Sequence, residues 1–196
     1  MKLFATSRSH FSRKVRLLLD HLGTPYELVN IGNVADSDLT QFAGNPLLSV
    51  PVLEDGESWL IDSDNIAGYI VRTYDPEDRY GVNTQEAALL NARVILNGAM
   101  AKEVSLILAA RTGLDPEAHA FFQKAKAALG NALAWLEDNS ALFNPRDPHY
   151  ADFHFISMWS HLDIYGLIDL DYPGLAKIAA ALAENEIVQR SAPPAF

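Results

Sequence analysis

None of the 196 residues is a cysteine. Disulfides, thiolate metal ligands and a cysteine nucleophile are therefore excluded, and a cytoplasmic location is the expectation. The chain also lacks any apolar run near the ~18 residues needed to span a bilayer, so no membrane partner is expected. The stretch from Met1 to Arg8 carries one short apolar patch and then charge, without the long apolar core and cleavage site of a secretory signal. Basic residues are scarce, with 15 Lys and Arg against 25 Asp and Glu for a net charge of −10. Such a field repels phosphate backbones, so no nucleic-acid partner is expected. Internal repeats and low-complexity segments are missing too.

What remains is ample core material, with 49% hydrophobic residues, enough to exclude disorder. The few cations are unevenly placed, since Arg8, Arg13, Lys14 and Arg16 crowd the first sixteen positions. That cluster is compatible with an anionic small molecule nearby or with a solvated helix face.

Residues 2–6 read as a strand. Phe11, Val15, Leu18 and Leu19 mark one face of a helix, with Ser9 as its N-cap and Gly23 as its stop. Tyr26 to Ile31 reads as a second strand and Asp36 to Ala43 as a short helix. Val52-Leu53 and Trp59-Leu60-Ile61 flank the turn signal Glu54-Asp55-Gly56. Ile66, Ile70 and Tyr74 give a helix from about Ser63 to Tyr74. A strand–helix–strand start implies a parallel pair with a crossover, and the hairpin adds an antiparallel pair. The expected fold is a thioredoxin-like α/β domain with a four-stranded mixed sheet over residues 1–75.

Asp75 to Gly81 breaks the pattern, so 76–82 reads as a linker and 83–196 as an all-helical domain. Asn83 or Thr84 is the expected cap of a long helix reaching Arg111. Asp115-Pro116-Glu117 opens the next, with the stripe Ala125, Leu129, Leu133 and Leu136. An aromatic-rich helix spans about Tyr150 to Leu162, and Tyr172-Pro173 opens the last.

One stretch draws the chain together. Pro51 stands where a strand begins, without an N–H for the ladder. Asp62-Ser63 opens a helix with a carboxylate, a hydroxyl and free N–H groups at the positive end of the dipole. Together they make a polar shelf suited to a peptide-like ligand with a carboxylate.

An α/β domain, a linker and a helical domain in that order resemble the cytosolic glutathione transferase superfamily. The string Asn45-Pro46, Val50-Pro51-Val52-Leu53, Asp55-Gly56, Leu60, Asp62-Ser63 and Ile66 is similar to that family's glutathione-binding core. Ser9 to Arg16 resembles the segment around the catalytic serine of its serine-type bacterial and zeta-like branches. The resemblance implies a cis Pro51, and a Val50 backbone that pairs with the cysteinyl amide of glutathione as an added strand. It implies that Asp62 and Ser63 hold the γ-glutamyl end. It implies that Ser9 donates to the glutathione sulfur at a helix N-terminus, a setting that lowers thiol pKa values. Glutathione as co-substrate, a small hydrophobic electrophile as second substrate and a homodimer follow from the same resemblance.

The departures from the family pattern are specific. Ser49 stands where many relatives carry a lysine or glutamine for the glycyl carboxylate, and Arg8 or Arg13 is the candidate substitute. Leu48 replaces a common glycine. His149 replaces the usual hydroxyl residue of the capping box ending at Asp152. Met100, Phe121, Phe122 and Trp159 read as core or as a co-substrate pocket. No metal site is expected, because His154 and His161 lack an evident third ligand. His10 points away from Ser9, which excludes a Ser–His hydrolytic pair. A non-catalytic interaction module resembling the stringent starvation proteins is the rival reading.

Overall fold

A computed structural model describes residues 1–34 and 38–194. Strand β1 (Lys2–Ala5) leads into helix α1 (His10–Leu22), which returns the chain to strand β2 (Glu27–Asn30). The two strands are parallel, in register from Lys2 with Glu27 to Ala5 with Asn30, as a crossover helix between them requires. Strands β3 (Val52–Asp55) and β4 (Ser58–Ile61) form the hairpin. Its turn places Gly56 at φ 59°, where a Cβ would be strained. The sheet order is β2-β1-β3-β4, with β3 antiparallel to β1. Helix α2 (Ser63–Tyr74) follows β4 with a single intervening residue. This is the thioredoxin-like arrangement, and an all-helical domain follows it.

That domain contains α3 (Ala87–Arg111), α4 (Ala120–Asp138), α5 (Tyr150–Tyr165), α6 (Pro173–Ala183) and the short α7 (Glu186–Arg190). Leu3, Val15, Leu18, Leu53, Ile66 and Ile70 share one continuous apolar core with Leu96, Leu129, Phe153 and Leu162. The sheet and the bundle are joined through α1, which packs against both α2 and α5. That double burial explains a departure from the expected single stripe. Leu17, Ser12, Arg13 and Lys14 are buried along with Val15, Leu18 and Leu19.

Several elements differ from the sequence reading. The expected helix from Asp36 to Ala43 does not form over 38–43, which are bends and turns, while Asp36 and Ser37 lie outside the described residues. Asp38 Oδ1 accepts from both the Thr40 N–H (2.8 Å) and the Thr40 hydroxyl (2.7 Å), a local alternative to helical bonding. The long helix begins at Ala87 instead of Asn83 or Thr84. The Asn83 N–H is held by Asp78 Oδ2, and Thr84 Oγ1 takes the Glu86 N–H in a tight turn. Asp115 caps only a 3-10 turn, Pro116–Ala118, and an extended His119 separates that turn from α4. Helix α7, unforeseen, is capped by Asn185, whose Oδ1 accepts from the Ile187 N–H at 2.8 Å.

Candidate active site

Three chain segments meet at one end of the sheet. Antiparallel pairing of Phe4 with Val52 sets the residues after β1 beside the residues before β3. Pairing of Val52 with Ile61 sets Pro51 beside Asp62. Thus the approach to Ser9, the Val50-Pro51 pair and the Asp62-Ser63 pair share one edge, although 54 positions separate Ser9 from Ser63.

Ser9 is the N-cap of α1 and half-buried. Its Oγ accepts from the Ser12 N–H at 3.1 Å and from the Ser12 hydroxyl at 3.0 Å. Both acceptor positions are thereby used inside the helix start, and the hydroxyl proton is directed elsewhere. A ligand at this helix end also meets the positive end of the dipole.

The Val50–Pro51 peptide is cis and Pro51 is buried. The preceding loop is held by Asn45, 2% exposed, whose Nδ2 donates to the Ser49 carbonyl (2.8 Å) and to Ser49 Oγ (3.2 Å). Asn45 Oδ1 accepts from the Leu47 N–H. Leu48 sits at φ 49°, a left-handed conformation that favours glycine, so the departure from glycine noted in the sequence carries a backbone strain.

Asp62, between β4 and α2, sits at φ 71°, a second strained position. Its Oδ1 accepts from the Asp64 and Asn65 N–H groups at 3.0 Å each. The Ser63 N–H stays outside that cap. Behind them, Lys14 Nζ meets Asp64 Oδ1 at 2.8 Å, Asn97 Oδ1 at 3.0 Å and His154 Nε2 at 3.3 Å. Burial lowers the Lys14 ammonium to about 8. Burial also opposes ionisation of Asp64, but the Lys14 charge and hydrogen bonds from Lys14 and Asn97 outweigh it and hold the carboxyl well below the usual range.

A cleft of about 620 Å³ opens over this edge and reaches the helical domain. Ser9, Ser49 and Val50 line it from the sheet side, and Ile107, Leu108 and Tyr165 from α3 and α5. Pro51, Asp62 and Ser63 lie outside its wall. Phe121 is 66% exposed and Met100 fully buried in the core, and neither these two nor Phe122 and Trp159 line the cleft.

The basic cluster divides between the interior and the cleft. Arg13 is 4% exposed and donates to Ser191 Oγ, the Ile156 carbonyl and the Val188 carbonyl. It braces α1 against the C-terminal residues and is no substitute for a lysine at Ser49. Lys14 is internal as well. Arg8 lines the cleft, with Nε donating to the Pro194 carbonyl at 3.2 Å. Arg111, missed by the sequence reading because it ends a helix about a hundred residues away, faces the same space.

The histidines also regroup. His154 joins Lys14, whereas His161 Nδ1 lies 2.8 Å from Glu103 Oε1. His10, Glu103 and His161 form a buried set of potential metal ligands, a different grouping from the His154 and His161 pair considered in the sequence. Burial pushes the Glu103 carboxyl up and the His10 imidazole well down. Glu103 gave no signal in the sequence, because nothing in helical periodicity says that its position faces α1 and α5.

Comparison with known proteins agrees with this geometry. Residues 3–78 match the family described as glutathione S-transferase, N-terminal domain. Glutathione S-transferase 4 of Zea mays is 33% identical over 94 residues, 46% of this chain and 42% of that protein. The uncharacterized GST-like protein YibF of Escherichia coli (strain K12) is 45% identical over 73 residues, 36% of this chain and 35% of that protein. The matched stretches thus span less than half the length of these relatives. A glutathione S-transferase from Methylobacterium radiotolerans, solved with glutathione sulfonate, superposes with a TM-score of 0.82 at 22% identity, covering 100% of this chain and 95% of that one. Residues 3–78 are thus similar to the N-terminal domain of glutathione S-transferases, and the whole chain shares the fold of that solved structure.

Proposed function

We propose that the chain is a glutathione-dependent transferase whose co-substrate lies along the shared sheet edge. The observation that carries this is the convergence of Ser9, Val50-Pro51 and Asp62-Ser63 at one end of the sheet. The Val50 backbone pairs with the cysteinyl amide as an added strand. The uncapped Ser63 N–H and its hydroxyl take the γ-glutamyl carboxylate, and the Asp62 carboxylate takes the ammonium. The Ser9 hydroxyl donates to the sulfur. One donor at a helix N-terminus favours thiolate over thiol, and the thiolate attacks a small hydrophobic electrophile held between Ile107, Leu108 and Tyr165. Ser49 is short and exposed, so the glycyl carboxylate falls to Arg8.

The reading is tested by calorimetric titration with glutathione. Saturable binding at millimolar concentration or below is expected; its absence overturns the assignment. The short side chain at Ser49 favours one alternative, a non-catalytic interaction module, for which co-purification of a stable protein partner without glutathione affinity would decide. Leu90 and Val94 expose 38% and 70% of their surface along α3, which supports a homodimer through that helix. Light scattering checks the mass. No helix among the described residues is long and apolar enough to cross a membrane.

A further inference from the structure

His10, Glu103 and His161 come from three different helices, α1, α3 and α5, and their ligand-type atoms lie within 4.8 Å of one another. All three are buried, at 2%, 0% and 5% exposure. The His10 and His161 rings meet edge to face, 4.1 Å between centroids. His161 has a clear partner in Glu103, so packing and one hydrogen bond account for it. They do not account for the other two. Both ring nitrogens of His10 and Glu103 Oε2 lack a hydrogen-bond partner among the described residues. Each such buried orphan costs about 1–3 kcal/mol, and native interiors keep few of them. Here three coincide, and all three are atoms that coordinate metals.

We propose that His10, Glu103 and His161 bind one divalent cation of the zinc class. Two imidazoles and one carboxylate are a donor set for borderline transition metals; magnesium and calcium prefer oxygen alone. A cation there occupies a nitrogen of His10 and a carboxylate oxygen of Glu103 at once. The Met100 backbone lies beside the His10 ring, where its carbonyl would serve as the outer acceptor once a metal orients the imidazole. Ligands about 2.1 Å from a central ion are separated by roughly 3.4 Å at the tetrahedral angle, a spacing that these atoms, all within 4.8 Å of one another, reach through small side-chain shifts. His10 and His161 both line the cleft, leaving a coordination position open toward it, as in sites that bind a further ligand. The set is separate from the Pro51, Asp62 and Ser63 shelf, but it borders the same cleft as Ser9, Ser49 and Val50, and the His161 ring packs on Tyr165 at 4.6 Å.

The experiment uses the full chain, stripped with chelator and titrated with cobalt(II) as a spectroscopic stand-in for zinc. The expected result is one equivalent bound, with a visible band of the intensity given by four- or five-coordinate cobalt, bleached by one equivalent of zinc. His10→Gln is expected to abolish the band. Cobalt-edge anomalous diffraction on wild-type crystals is expected to place one peak among the three side chains. The proposal is overturned if the spectrum stays that of aqueous cobalt, if a folded His10→Gln variant keeps the band, or if the peak lies instead at exposed His119 or His149. Should His10→Gln fail to fold, the wild-type anomalous map decides alone. Glutathione titration of the stripped protein is a separate readout, so loss of one result leaves the other intact.

Discussion

Lys14 Nζ lies 2.8 Å from Asp64 Oδ1, and this contact ties the helix that begins beside Ser9 to the helix that begins at Ser63. The ammonium is fully buried, with 0% side-chain exposure. Asn97 from α3 and the Tyr150 hydroxyl from α5 complete the cluster, the latter donating to Asp64 Oδ1 at 2.8 Å. Two ends of the proposed glutathione site are thus positioned by one internal ion pair that also anchors the helical domain.

Removing one partner of such a pair leaves the other charge uncompensated. Lys14→Met is expected to lower unfolding stability by about 3 kcal/mol and to weaken glutathione binding, because the α2 N-terminus loses its brace. Urea unfolding and calorimetry read the two effects. Unchanged stability together with unchanged affinity would show that the pair is dispensable.

Ser9 caps α1 and is the proposed ligand of the sulfur. Ser9→Ala is expected to cost about 1 kcal/mol of stability through the lost cap. It should also raise the pKa of bound glutathione by about one unit, while affinity changes little. Thiolate ultraviolet absorbance followed against pH checks the second effect. A stability loss with no change in that titration would confine Ser9 to capping.

Asp152 is fully buried at the start of α5, where its carboxylate accepts from the Asn144 N–H (2.8 Å) and the His149 N–H (2.9 Å). Burial nonetheless raises its pKa to about 6, against about 3.9 in an unfolded chain. Between those values the folded state holds a proton that the unfolded state lacks. The stabilisation from this group is therefore complete below pH ~4 and is lost as pH rises through about 6. The stability of wild type minus that of Asp152→Asn should fall by roughly 2 kcal/mol between pH 4 and 7. Denaturant unfolding at constant ionic strength measures it. A difference that rises with pH has the wrong sign for this account.

Leu48 carries the left-handed strain at φ 49° beside the cleft. A left-handed backbone costs a non-glycine residue about 1–2 kcal/mol, and glycine loses about 0.5–1 kcal/mol in chain entropy. Leu48→Gly is expected to be neutral or stabilising by under about 1 kcal/mol. Leu48→Val, β-branched and stiffer, is expected to destabilise. The denaturation midpoints should rank glycine at or above leucine and leucine above valine; valine above leucine would place the strain elsewhere.

Local chemistry was readable along the chain. Ser9 as a cap, Gly23 as a left-handed stop at φ 66°, the Asp55-Gly56 hairpin and the Pro173 helix start all follow from interactions within a few residues. Where two local options compete, the sequence is ambiguous. The Asp38–Thr40 turn replaced a helix over 38–43, and Thr84 closed a turn instead of opening α3.

The burial of Arg13 and Lys14 was unreadable for another reason. Helical periodicity reports one apolar face, whereas α1 is enclosed by α2 on one side and α5 on the other. A charged residue facing a second helix looks the same in sequence as one facing water. Its partners, Asp64 and the Ile156 and Val188 carbonyls, are supplied by elements 50 to 175 positions away.

The amino-acid sequence by itself determined the strands, most helices, and the polar residue types at Ser9, Val50-Pro51 and Asp62-Ser63, since caps, turns and periodicity act over one or two helical turns. Only the tertiary structure decided that these three points share a sheet edge, that Arg13 and Lys14 are internal braces, and that Glu103 meets His10 and His161. Those relations depend on strand register and on which helix faces pack together, and both are set by burial of one common core.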